Sequence, residues 1–195
     1  MPFAQGFVDV RSIGDEEWQL LAQVGYEGKV DSFEVPAGTE TDFASVPRVF
    51  VWLLPRYGKY TQAAILHDYL WRVAVPDGQL TLPEADGIFR RAMRELGVPF
   101  LRRWMMWSAV RLGALVKPGG RKRWIQESWR VVPIAIVSLL IVLPPAILIL
   151  VALGVFYLVE LLLYLPLRVT TAIKARGGQE VPKQVNAPTL DLESS

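Results

Sequence analysis

VVPIAIVSLLIVLPPAILILVALGVFYLVELLLYLPL, residues 131–167, is a 37-residue apolar run whose only ionisable acid is Glu160. Such a composition belongs in a bilayer. As one continuous helix the run would reach roughly 56 Å, against a hydrocarbon core of about 30 Å. Pro144-Pro145 divides it into arms of 13 and 22 residues, Val131–Leu143 and Ala146–Leu167. Neither proline has an N–H to donate, and each disfavours helical geometry in the residue before it, so a break is expected there. Both flanks are basic: Arg111, Lys117, Arg121, Lys122, Arg123 and Arg130 precede the run, and Arg168, Lys174, Arg176 and Lys183 follow it. A transmembrane helical hairpin with both ends in the cytoplasm fits that symmetry under the positive-inside tendency. A kinked, tilted single span is the alternative.

Within the long arm, Gly154, Tyr157, Glu160 and Tyr164 are three, three and four residues apart and so share one helix face. An acid at that depth costs on the order of 2.5–3.5 kcal/mol, which predicts a hydrogen bond to a tyrosine or to another helix, and with it self-association. Snorkelling toward water is the competing account. The lipid bilayer is the other expected partner.

Residues 1–30 lack a basic segment followed by an apolar one, and acids come early at Asp9, Asp15, Glu16 and Glu17. The expected location is therefore a bacterial inner membrane with the N-terminal domain in the cytoplasm. The chain has no cysteine, which removes disulfides, thiol catalysis and thiolate metal sites. A net charge of +2 is modest, the basic cluster is accounted for by the membrane flank, and no recognition motif accompanies it, so no nucleic acid is expected as a partner.

Residues 1–116 have the mixed composition of one small soluble domain. Its first third predicts strands at Phe7–Arg11, Trp18–Gly25 and Val30–Val35, the last ended by Pro36-Ala37-Gly38. Helices are expected at Pro47–Leu54, at Thr61–Arg72 behind a threonine cap, at Pro83–Leu96 and from Pro99 to about Leu115. The fold class is thus α+β, a small antiparallel sheet followed by a helical layer and then the membrane segment. Ala85, Ile88, Phe89, Ala92, Met93 and Leu96 recur at helical spacing and predict a buried stripe. Lys117-Pro118-Gly119-Gly120-Arg121 marks a boundary, residues 117–130 a basic interfacial linker, and residues 168–195 a disordered polar tail. Trp104, Trp107, Trp124 and Trp129 gather shortly before the apolar run, as in an interfacial belt, although Trp104 and Trp107 could equally fill the core.

Two segments could carry chemistry. Thr41-Asp42-Phe43-Ala44-Ser45-Val46-Pro47 places Asp42 and Ser45 on a strand-to-helix loop, where they could serve a site or cap the helix that follows. His67-Asp68 lies mid-helix in AAILHDYLW, and His67 is the only histidine. One histidine excludes sites that need two. Two arrangements survive. Asp42, His67, Asp68 and Asp86 could make an oxygen-rich site for a divalent metal such as Mg or Mn, or Ser45, His67 and an aspartate could act as nucleophile, base and orienter. A helix ion pair with Arg72 competes for Asp68, and Asp42 is expected beside His67.

GTETDFASVPR, AAILHDYLW and EADGIFRRAMRELGVP, in that order and followed by a helix containing AVRLG, resemble the phage and prophage family called domain of unknown function 1353. The resemblance covers residues 18–114. It implies a bacteriophage or prophage origin and a compact α+β domain, and it maps the family's polar positions onto Thr41, Asp42, Ser45, His67, Asp68 and Asp86. Trp71 stands at a position where the family is tyrosine-like. No reaction comes with the resemblance. Two readings follow: a membrane-anchored hydrolase, or a non-enzymatic structural or partner-binding phage protein.

Overall fold

The computed structural model describes residues 2–4, 6–44, 46, 50–116, 120–176 and 187–189. Five short strands come first: β1 (Val10–Ser12), β2 (Trp18–Leu20), β3 (Val24–Glu27), β4 (Ser32–Val35) and β5 (Glu40–Thr41). They form two antiparallel sheets, β1-β2-β5 and the hairpin β3-β4. The stretch expected as one strand from Trp18 to Gly25 is split between them. Its β-forming composition is continuous, but the backbone bends after Leu20, whose N–H goes to Thr39 O, while Leu21 N–H goes to Asp9 O. β5 was not foreseen, because it is only two residues long and lies beyond the turn at Gly38, where φ is +86°. In the hairpin, Val24 and Tyr26 point into the core and pair with Val35 and Phe33. Gly28 is required at its tip, since a Cβ there would collide with the Tyr26 ring.

The helical layer follows as α1 (Thr61–Tyr69), α2 (Leu82–Glu95), α3 (Phe100–Gly113) and α4 (Gly120–Arg176). Ala63, Ala64, Ile65 and Leu66 of α1 are all buried, packed against the strands and α2, while His67, Asp68 and Tyr69 after them are half-buried. Thr61 is its first residue rather than its cap, and the threonine hydroxyl accepts the Gly58 N–H instead. A π-helical turn, Leu70–Ala74, prolongs α1, with Val75 N–H reaching back to Leu70 O. α2 opens with a capping box in which Glu84 accepts the Thr81 N–H at 2.7 Å, and it ends at Gly97, where φ is +72°. Its buried face is the stripe expected from the sequence, with Asp86 added to it. Pro99 caps α3, and a 3-10 turn, Ala114–Val116, closes it. The expected helix at residues 47–54 lies partly outside the described residues; from Phe50 the chain makes a single turn, with Leu54 N–H bonded to Phe50 O.

α4 corrects the expected break. It runs without interruption through Pro133, Pro144, Pro145 and Pro166, about 86 Å of helix, so the segment is not a hairpin. Each proline removes one N–H and leaves one carbonyl without its partner, while the ladder continues on either side. An apolar backbone has no better way to satisfy itself than to remain helical. The residues expected as a basic linker form the first turns of α4 from Gly120 onward, and residues 168–176 of the expected tail form its last turns. The boundary residues 117–119 and the tail residues 177–186 and 190–195 lie outside the described residues. Ser128–Lys174 is long and apolar enough to cross a membrane, and only 11% of its most apolar stretch is buried, which separates it from the core helix of a soluble domain. The first turns of α4 pack on α3, with Val131 fully buried. Trp107 fills the interior, whereas Trp129 is 67% exposed.

Candidate functional site

The turn after β5 begins with an unusual backbone. Phe43 sits at φ +61°, in the left-handed region where a bulky residue is strained. The strain is held from both sides. Its N–H donates to Thr41 Oγ1 at 2.9 Å, and its ring packs edge-on against Tyr57 at 5.1 Å and against Trp18 at 5.9 Å. Thr41 is fully buried and donates its hydroxyl to Asp68 Oδ2 at 2.5 Å, tying the end of the sheet to α1. Between these anchors, Asp42 projects toward Arg72, whose Nη2 is 4.0 Å from Asp42 Oδ1.

His67 and Asp68 are consecutive on α1 and face different partners. His67 Nε2 lies 2.7 Å from Asp86 Oδ1 on α2, and its ring stacks at 4.8 Å on Phe89. The other Asp86 oxygen accepts Arg111 Nη1 of α3 at 3.0 Å. Asp86 and Arg111 are almost wholly buried. With one Asp86 oxygen accepting from Arg111, the other is placed to accept from His67 Nε2. The result is a chain of His67, Asp86 and Arg111 across three helices. Asp68 belongs to a second group, with Thr41, Asp42 and Arg72. Burial, and then the nearby charge of Asp42, push its carboxyl up from the usual 3.8 to about 7, against the opposing pull of Thr41, His67 and Arg72.

Both groups line one cleft of about 570 Å³, whose wall includes Asp42, His67, Asp68 and Asp86, with Phe43 and Trp71 beside them and Met106 and Val110 of α3 opposite. The polar residues are therefore reached from a cavity rather than sealed behind Phe43 and Trp71. The cleft gathers four of the five residues expected from the sequence, while Ser45 lies outside the described residues. Asp86 meets the Nε2 of His67, because α2 runs alongside α1 and presents Asp86 from its buried face, while Asp42, expected beside His67, lines the same cleft 4.0 Å from Arg72. Nor do these residues converge as a metal-binding set: among the described residues no group of three or more His, Asp or Glu side chains is placed to hold an ion. Arg111 and His67 occupy the two oxygens of Asp86, and Thr41 occupies one of Asp68.

The sequence reading missed Arg111, which it grouped with the basic flank. The available signal was its spacing, four residues after Trp107 and three after Ser108, which puts it on the buried face of α3.

Residues 18–110 match the family model described as Protein of unknown function (DUF1353). The match includes β2 to β5, α1, α2 and most of α3, and with them Thr41, Asp42, His67, Asp68 and Asp86. It ends one residue before Arg111, and α4 lies wholly outside the DUF1353 segment. No curated protein and no solved structure matches the chain.

The raised Asp68 carboxyl has a consequence for stability. An unfolded aspartate releases its proton near pH 4, whereas the folded Asp68 holds it to about 7, so the native state binds more protons in this window. Stability from this group is therefore present at low pH and is lost as pH rises from about 4 to 7. Denaturation of the full-length protein in detergent, compared with Asp68→Asn, should show the variant no more stable near pH 4 and more stable by on the order of 4 kcal/mol at pH 8. A difference that does not change with pH would refute the shift.

Proposed function

We propose that this protein is a membrane-anchored hydrolase whose site is the cleft shared by His67, Asp68 and Asp86. The observation that carries the reading is the coexistence, in one open cavity, of an oriented imidazole and a carboxyl that keeps its proton near neutrality. Asp86, pinned by Arg111, holds the His67 ring and stabilises the imidazolium formed when Nδ1 takes a proton from the attacking hydroxyl. That hydroxyl is water or the side chain of Ser45. Asp68, still protonated, gives its proton to the leaving group; when water is the nucleophile the proton on His67 then passes to Asp68, and when Ser45 is, the water that cleaves the ester returns a proton to Asp68 while His67 protonates the departing Ser45 oxygen. The bacteriophage or prophage origin rests on the ordered motifs that resemble the family.

The rival is a non-enzymatic, partner-binding module, favoured by the depth at which Asp86 and Arg111 are buried. The two readings separate by activity. Full-length protein in nanodiscs, offered chromogenic esters, phosphodiesters, glycosides and amides, should turn over one class, with the rate falling above about pH 7 as Asp68 ionises. His67→Gln and Asp68→Asn should each reduce that rate by about a hundredfold or more with the fold retained. No turnover of any class, or turnover indifferent to both substitutions, would leave the partner-binding module.

The membrane anchor is α4, read as a single span. A tilt of about 36° fits the apolar run within the roughly 45 Å of bilayer including its interfaces. The flank before the run carries more Lys and Arg than the flank after it, which favours a cytoplasmic domain and an external end for α4. Single cysteines placed at Lys59 and at Lys174 test this with an impermeant maleimide: only Lys174→Cys should label in intact cells. Protection of both sites would restore a hairpin.

Gly154, Tyr157, Glu160 and Tyr164 lie on one face of this helix, and Glu160 is exposed along it. Self-association through that face gives the acid a partner. Disulfide crosslinking of Gly154→Cys in membranes should be strong and should fall severalfold when Glu160→Leu is added; equal crosslinking in both would reject the interface.

A further inference from the structure

A second polar cluster lies away from the cleft, where α2, α3 and the start of α4 meet. The guanidinium of Arg90 sits 4.2 Å above the Trp104 ring and 5.8 Å from that of Trp107, and its Nε is buried without a hydrogen-bond partner. Burial weakens its hold on the proton, and the charges that weaken it further are Arg94, Arg91, Arg103 and Arg130. Arg91 is neutralised by Asp31, with contacts of 3.0 and 2.5 Å. The others are not: among the described residues Arg90, Arg94, Arg103 and Arg130 form no ion pair with a carboxylate. Arg103 instead donates to Val98 O at 3.2 Å, and Arg130 lies 4.5 Å over the exposed Trp129 ring. Among the described residues, four arginines from three helices thus converge without an anion, an arrangement that opposes itself unless a negative group joins it.

Position identifies the missing group. Arg130 is the last charged residue before the apolar run, so on α4 it marks the level at which the helix enters the bilayer. α3 and α4 are joined by a short connection and pack together, which carries the N-terminal end of α3 to the same level. There Phe100 and Leu101 are exposed, 66% and 46%. Apolar side chains and tryptophans beside arginines that form no ion pair among the described residues are what a headgroup layer accommodates.

We propose that Arg90, Arg94, Arg103 and Arg130 form a binding site for the phosphodiester of an anionic phospholipid at the point where α4 leaves the domain. The forked guanidiniums bind the phosphate oxygens, Trp104 and Trp129 hold two of the forks in orientation, and the acyl chains run along the apolar surface of α4. The site rests on the reading of α4 as a membrane span.

Native mass spectrometry of the full-length protein tests it, after release from nanodiscs of phosphatidylcholine with a minority of phosphatidylglycerol. The native chain should retain one phosphatidylglycerol in preference to phosphatidylcholine. Arg94→Gln and Arg130→Gln, both at exposed positions, should each reduce that retention by about fivefold. Arg90→Lys, which keeps the charge but loses the fork, should fall between them and the native chain. Equal retention of the two lipids, or variants that retain as much as the native chain, would overturn the site. So would displacement of the lipid by tens of millimolar inorganic phosphate, which would assign the arginines to a free anion. Extraction of the protein from membranes by alkaline carbonate would overturn the span and the site together, whereas resistance to carbonate with no lipid preference would overturn the site alone.

Discussion

The Asp86 carboxylate is the interaction on which the domain turns. One oxygen takes the imidazole of α1 and the other the guanidinium of α3, so a single side chain on α2 ties together the three helices that surround the cleft. A buried ion pair of this kind adds little net stability compared with apolar residues of the same shape, yet losing one partner strands a charge in the interior, at a cost of about 3–5 kcal/mol. Its contribution is therefore to geometry. It fixes the spacing of α1 and α3 across α2.

The sheet supplies the other half of the site through strain. A left-handed phenylalanine is unfavourable by itself, and here it is held by the buried Thr41 hydroxyl and by two aromatic neighbours. The turn so produced brings Asp42 close enough to Asp68 for their charges to repel. That repulsion, added to burial, raises the Asp68 carboxyl into the neutral range. The same Thr41 oxygen that accepts the Phe43 N–H carries the proton given to Asp68, so the strained turn and the shifted acid form one unit.

α4 belongs to a different solvent regime. Inside the domain, polar side chains find partners on neighbouring helices. Along α4, most apolar side chains of the Ser128–Lys174 stretch stand exposed, and that stretch is long and apolar enough to cross a membrane. The four internal prolines are compatible with a membrane span, since in the absence of water a backbone keeps its helical hydrogen bonds wherever it has a donor.

Residue type and spacing alone determined the α+β class, the order of strands before helices, the buried stripe of α2 and the apolar length of α4, because each depends on local periodicity and composition. The same reading selected Asp42, His67, Asp68 and Asp86, since polar groups in apolar helices and on a strand-to-helix loop are conspicuous in one dimension. Which of them pair was decided in three dimensions. His67 could not be assigned to Asp86 before α2 was seen to lie against α1, and Arg111 looked like one more basic residue until α3 turned it inward. The division of Trp18–Glu27 between two sheets was likewise set by backbone hydrogen bonds to Asp9 and Thr39, residues distant in sequence. At Pro144-Pro145 the local rule favours a break, but the hydrogen-bonded turns on both sides carried the helix through, because the local rule counts only the donors that are missing and not the ladder that remains.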